Sequence, residues 1–318
     1  MTSLAPGRAL RPPGSPPAPR TGRGRRRSAS RRRALLGLAL AAPALVLVTV
    51  FFLVPLVLTF WMSLHNWPLM GRARFVGLDN YSRAVGDENF LRALRFTLLY
   101  TVVITPVLLV LGLFLALLVR RPVRGARFFQ SVFFMPVCIG LASGSFLWLY
   151  LGQSQIGPLF DLLRRAGLVD ASDNLFADVT TALALVIAMV TWKVVGLQML
   201  LLLSGLQSIP DEVVEAARID GAGGWQLFRW ITLPLLRPTL ALVLVFSVAG
   251  SLLAFDQFFI MTGGGPSNST ITAVYQVYRI SFTSFRLGYG AALSVLLMVI
   301  LAAVSAVQML LLRGTDHN

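Results

Sequence analysis

The sequence predicts an all-α integral membrane protein with six transmembrane helices. Three observations carry this: a shortage of charge, six long apolar runs, and a lopsided distribution of arginine. Of 318 residues, 56% are hydrophobic and only 13% charged, with a mean hydropathy of +0.74. A soluble domain of this length needs far more charge to cover its surface, so the excess apolar area calls for lipid as its solvent.

The apolar runs lie near 36–64, 96–119, 129–151, 179–206, 239–262 and 288–312, within a membrane domain expected over 34–313. Each is long enough to cross a hydrocarbon core of ~30 Å at ~1.5 Å per residue. In lipid the backbone must satisfy its own hydrogen bonds, so runs of this length are expected to be helical. The first follows Ser30-Arg31-Arg32-Arg33 and contains Ala39-Leu40-Ala41, which together resemble an export signal and its cleavage site. The stretch runs on through Phe51, Phe52 and Phe60, well beyond a signal core of ~7–15 residues. It is therefore read as an uncleaved helix, with Pro43 and Pro55 as bends.

Arginine sets the expected orientation. Residues 1–33 carry ten Arg, six Pro and no acid, the composition of a disordered tail. Placing that tail in the cytoplasm puts eighteen basic residues inside and nine outside, with both termini cytoplasmic. A basic tail also suits nucleic acid. This one lacks aromatic residues for stacking on bases and leads into an apolar span, so no nucleic-acid partner is expected. Trp61, Trp67, Trp148 and Tyr150 near helix ends suggest an aromatic belt at the lipid interface.

Several chemistries are disfavoured. With one cysteine, Cys138, neither an intrachain disulfide nor a cysteine metal site can form. The segment Gly140–Gly144 superficially resembles the serine region of an intramembrane protease. However, His65 and His317 lie outside the spans and no base is near Ser143. No phosphate-binding loop is present, so neither catalytic residues nor a cofactor are expected.

The connection over 207–236 carries the most information. Pro210 and the acids Asp211 and Glu212 suit a helix start, and Gly221, Gly223 and Gly224 suit a sharp turn. A second short helix then presents Trp225, Phe228 and Trp230, with Pro234 expected to stop it. Ala216 and Ala217 would leave one side of the first helix bare for another protein, with Glu215 as a charged handle. An amphipathic hairpin merely joining two spans is the alternative.

This stretch resembles the E-A-A-x-x-x-G-x9-I-x-L-P motif of ABC importer permeases. Glu215, Ala216, Ala217, Gly221, Ile231, Leu233 and Pro234 match all seven fixed positions. The surrounding residues are similar to maltose-type and glycerol-phosphate-type sugar permeases. Further similarity lies in Phe75–Tyr81, in Phe255-Asp256 with Thr262-Gly263-Gly264-Gly265-Pro266 and Thr270, and in Leu287–Ala292, where Gly290 replaces a common Ala. The resemblance implies a type I ABC importer transmembrane fold, with its core over about 91–312 and a coupling helix over 211–222. It implies a bacterial plasma-membrane permease subunit for a sugar or sugar-like solute. It also implies a second homologous permease, two cytoplasmic ATPase subunits that bind the ATP, and an external solute-binding protein. An ATP-independent secondary transporter or channel is the competing reading.

Two ionisable residues fall within the apolar runs, Lys193 and Asp256. Each costs ~2.5–3.5 kcal/mol at mid-bilayer, so neither should face lipid. Their positions along their helices differ by ~12 Å in depth, which argues against pairing. Asp256, with Gln257 and Phe255, is a candidate for lining the translocation path, or alternatively for capping or bridging helices. Lys193 is expected to face an internal cavity or a partner subunit.

Overall fold

The computed structural model describes residues 37, 39–120 and 125–313. The chain divides into two compact units, residues 1–57 and 58–318. The tail over 1–33, Arg121, Arg124 and the last five residues lie outside the described residues.

The first apolar run forms α1, Ala39–Ser63. A π-helical turn at Thr49–Leu53 precedes Pro55, where a proline ring would crowd the carbonyl four residues earlier. A two-stranded ribbon follows, β1 (His65–Asn66) against β2 (Arg74–Phe75), in antiparallel register. The short helix α2, Asp79–Gly86, is tied back to the end of α1. Asn80 Nδ2 donates to the carbonyls of Ser63 (2.8 Å) and His65 (3.0 Å), and the Tyr81 hydroxyl bonds to Ser63 Oγ at 2.5 Å. That is the physical content of the Phe75–Tyr81 similarity.

The second span, α3, covers Glu88–Val119 and starts eight residues before its apolar run. Asp87 caps it by accepting from the amides of Asn89 (2.9 Å) and Phe90 (3.2 Å), so the helix extends into its polar flank. The third span differs from the expected continuous helix. It comprises α4, Ala126–Cys138, and α5, Leu141–Leu151, bent by 97°. Pro136 starts a 3-10 turn at the end of α4, and extended Gly140 separates the two halves.

A short helix, α6 (Pro158–Arg165), leads to α7, Val179–Gln207, capped by Asp178. The connection then folds into α8, Asp211–Ile219, and α9, Gly224–Leu235. Pro234 does not stop the helix as expected. A π turn at Phe228–Thr232 absorbs its missing N–H, and the break falls at Leu236, where α9 meets α10, Arg237–Leu252, at 67°. The fifth span also ends short of the expected Thr262: α10 stops at Leu252, and a separate turn carries Phe258–Thr262. The chain closes with α11, Ala273–Tyr278, and α12, Leu287–Arg313. Counting each bent pair once gives six candidate spans among the described residues.

The core sits where α3 and α7 pack along their lengths, with α10 beside them. One cluster centres on Tyr100, Val186, Met189 and Phe258. A second runs through Met199, Leu202 and Leu206 to Val214 and Leu236, joining the spans to the hairpin. Outward-facing side chains such as Val102, Phe114 and Phe246 are apolar and exposed, as a lipid-facing surface requires. Of the aromatic residues expected at the interface, Trp61 and Tyr150 are exposed. Trp148 instead turns inward against Trp192, with ring centroids 6.1 Å apart.

Candidate functional site

The hairpin presents one anchored face and one free face. In α8, Val214 and Ala217 are buried, whereas Glu215 and Ala216 are exposed. This corrects the expectation of a bare Ala216-Ala217 surface. Helical periodicity points Ala217 inward beside Val214, three residues earlier, and leaves only Ala216 bare. The helix ends in a left-handed turn, with Gly221 at φ +84°. The Ala222 amide donates to the Ala217 carbonyl at 2.9 Å and the Gly221 amide to that of Arg218 at 3.1 Å, the closure that a glycine just past a helix permits. Within α9, Gln226 Oε1 accepts from the Gly223 amide at 2.8 Å and caps the second helix. Trp225 and Trp230 are exposed, whereas Ile231, Leu233 and Pro234 are half-buried where α9 turns toward the membrane.

A cavity of about 500 Å³ lies between α3, α7 and α10. Its wall is mostly aliphatic, with six polar side chains: Tyr100, Lys193, Gln198, Ser247, Ser251 and Gln257. Lys193, half-buried at the midpoint of α7, reaches the broken third span. Its Nζ donates to the carbonyl of Ile139 at 2.5 Å and more weakly to that of Val137 at 3.4 Å. The end of α4 thus receives a cation where helix carbonyls lack partners. Gly196, one turn further along α7, packs directly on the Phe133 carbonyl, and any side chain there would collide with it. Gln198 Nε2 donates to Ser247 Oγ at 2.7 Å, which ties α7 to α10.

The four candidate path residues separate into two groups. Lys193 and Gln257 line the cavity. Phe255 stacks on Phe259 at 5.2 Å and packs against Tyr275 and Tyr278. Asp256 is half-buried beside it and forms no ion pair with Lys193; the ion pairs among the described residues join Asp161 to Arg164 and Arg165. Tyr100, Gln198, Ser247 and Ser251 were not singled out from the sequence. Gln198 and the Ser247/Ser251 pair, four apart on one helix face, were visible as polar residues inside apolar runs.

The loop after Phe258–Thr262 explains another similarity. Gly263 and Gly264 have positive φ. Thr270 Oγ1 bonds to Thr262 Oγ1 at 2.8 Å and donates to the Gly265 carbonyl at 2.7 Å. The two threonines close the turn that the glycines open. At α12, Gly290 lies against Ser281 Oγ so closely that an alanine there would collide with it.

Six candidate spans, two of them broken, together with a hairpin anchored to the core on one face and open on the other, define a polytopic membrane protein. Residues 84–317 match the binding-protein-dependent transport system inner membrane component family, and the chain belongs to it. It is 37% identical to the sn-glycerol-3-phosphate transport system permease protein UgpA of Agrobacterium fabrum over 287 residues, 89% of this chain and 96% of that one. It is 34% identical to the multiple sugar-binding transport system permease protein MsmF of Streptococcus mutans, over 83% of this chain and 90% of that one. The fold is similar to a chain of a bacterial ABC transporter involved in import of the acidic polysaccharide alginate. The TM-score is 0.78 at 21% identity, covering 92% of this chain and 99% of that one. The protein is thus an ABC importer permease subunit, an inner-membrane component and not an enzyme. Nothing favours an ATP-independent transporter or channel.

Proposed function

We propose that the chain forms part of the translocation path for a sugar or sugar-like solute delivered by an external binding protein. It pairs with a second homologous permease, and two cytoplasmic ATPase subunits bind the ATP. In this reading the hairpin within 207–236 is cytoplasmic, as are both termini, and α8 is the helix that an ATPase grips. The curated relatives support the solute class: one is named for sn-glycerol-3-phosphate and one for multiple sugars. A solved alginate transporter in complex with an alginate pentasaccharide-bound periplasmic protein, 21% identical, supports the general assembly.

One observation carries the coupling role. Val214 belongs to the same packed cluster as Met199, Leu202 and Val243, the last three on α7 and α10, two of the helices that wall the cavity. Packed interiors transmit displacement rather than absorb it, so a push on the exposed Glu215–Ala216 face reaches the cavity through close-packed side chains. The test is reconstitution of the permease pair with its ATPases and binding protein in liposomes. ATP-dependent accumulation of a saccharide that requires the loaded binding protein is expected. Accumulation without ATP or without the binding protein would refute the reading.

A further inference from the structure

A second cavity, of about 240 Å³, opens where the start of α3 meets α11 and its flanking turns. Its wall is polar. Asn89 and Arg92 come from the first turns of α3, Asn268 from the loop before α11, Gln276 from α11, and Arg279 and Ser284 from the turn after it. Among the described residues no carboxylate lines this cavity, and the ion pairs all involve Asp161 elsewhere. Both guanidinium groups are therefore uncompensated. Arg279 gives one N–H to Asn268 Oδ1 at 3.0 Å, and an arginine has five to give. Gln276, only 6% exposed, sets a buried amide into the same wall. The Ala273 amide donates to Thr97 Oγ1 at 2.8 Å, which fixes α11 to α3 and holds the two arginines on different elements.

The depth of this cavity says what can reach it. The apolar run of α3 starts at Phe96, and Arg92 lies one helical turn before it. At ~1.5 Å per residue that places Arg92 ~6 Å beyond the hydrocarbon edge, within a headgroup layer ~5–7 Å deep. The face of α3 below it is apolar. Leu99, Val103 and Val110 fall on one line with Arg92 by helical spacing, and all four are exposed. A positively charged cavity at headgroup depth thus stands directly above a lipid-facing aliphatic stripe.

We infer that this cavity binds the headgroup of an anionic phospholipid of the phosphatidylglycerol type. Arg92 and Arg279 donate to the phosphodiester oxygens from two sides, the pairing that guanidinium geometry favours. Asn89, Gln276 and Ser284 meet the headgroup hydroxyls, and an acyl chain lies along Leu99, Val103 and Val110. An ethanolamine headgroup fits poorly, because its ammonium meets two guanidinium groups and no carboxylate. A soluble phosphate or an acidic protein loop could satisfy the charge but would leave the aliphatic stripe unused. The bound lipid staples α3 to the segment around α11.

The test is thermal unfolding of the delipidated, detergent-purified permease complex, titrated with dioleoylphosphatidylglycerol, dioleoylphosphatidylethanolamine or inorganic phosphate. Phosphatidylglycerol should raise the midpoint by about 3 °C or more at saturation, since a ligand of the folded state stabilises it. The other two should give less than about a third of that shift. Arg92→Gln with Arg279→Gln should weaken the phosphatidylglycerol response about tenfold in concentration. Arg72→Gln with Arg74→Gln, which removes two exposed charges at the ribbon outside the cavity, should leave it unchanged. Equal shifts from the two lipids, or equal weakening in both double variants, would reduce the effect to general charge attraction and overturn the inference. Phosphate as effective as the lipid would assign the cavity to a soluble anion and overturn it as well. So would an unchanged lipid response in the Arg92/Arg279 variant together with lost retention of the binding protein, which would assign the cavity to an acidic protein surface. If the double variant fails to assemble, Arg92→Gln alone, at an exposed position, should weaken the lipid response about threefold, and an unchanged response would overturn the inference.

Discussion

Tyr289, at the start of the last span, donates its hydroxyl proton to Asp87 Oδ2 at 2.7 Å, across 202 positions of sequence. The same carboxylate caps the second span through its other oxygen. Arg83 and Arg286 stand over the Tyr289 ring at 5.2 and 5.4 Å. One acid thus locks two spans together at a shared end, with two guanidinium groups stacked on the aromatic ring between them.

From this geometry, Tyr289→Phe should cost about 1.5–3 kcal/mol, the range for a hydrogen bond to a charged group. Asp87→Ala should cost more, because it removes the helix cap as well, itself worth about 0.5–2 kcal/mol. Thermal unfolding of the purified complex in detergent, read as a double-mutant cycle, should give strong coupling between the two sites. Additive losses would show that the bond contributes nothing.

Gly290 supplies a second test. Gly290→Ala pushes a methyl group into Ser281 Oγ, and overpacking of this kind costs about 1–3 kcal/mol. Adding Ser281→Gly opens the space and should recover most of the loss in the same unfolding measurement. No recovery would place the strain elsewhere.

Lys193 supplies a third. Lys193→Met keeps a long side chain but leaves the Ile139 carbonyl without its donor, at about 1–3 kcal/mol. Lys193→Arg should unfold close to wild type. A methionine variant as stable as wild type would mean that the broken third span holds its bend without this contact.

Orientation is tested by single cysteines in a chain lacking Cys138. Cysteines at Gly71, Ser172 and Ser267 should react with an impermeant maleimide from outside, and one at Ser28 should not. External labelling at Ser28 would reverse the proposed topology.

The number of spans was legible because lipid imposes a length and a polarity that composition reports directly. Their breaks were not. Pro136 and Gly140 sit in an unbroken apolar run, and no hydropathy signal distinguishes a 97° bend from a straight crossing. The hairpin turn at Gly221 was legible, since a glycine after a helix carries its own conformational reason. The inward turn of Ala217 and the cavity formed by Lys193, Gln198 and Gln257 were not, because helix rotation and span-to-span packing are tertiary facts. The bond between Asp87 and Tyr289 was not legible either, because the two residues stand 202 positions apart.

The account stands or falls on α8 as the ATPase contact. Gly221→Val forces a β-branched residue into a left-handed conformation, at about 1–2 kcal/mol, and should distort the exit from the helix. Glu215→Lys reverses a charge on the exposed face, where opposing a buried partner costs about 2–5 kcal/mol. Neither residue lies in a span, so both variants should insert normally. The decisive measurement is retention of ATPase subunits on affinity-purified permease, wild type beside each variant, with solute uptake measured on the same preparations. At least a tenfold loss of bound ATPase and of uptake in both variants is expected. Full retention and normal uptake in both would contradict the coupling role of this helix.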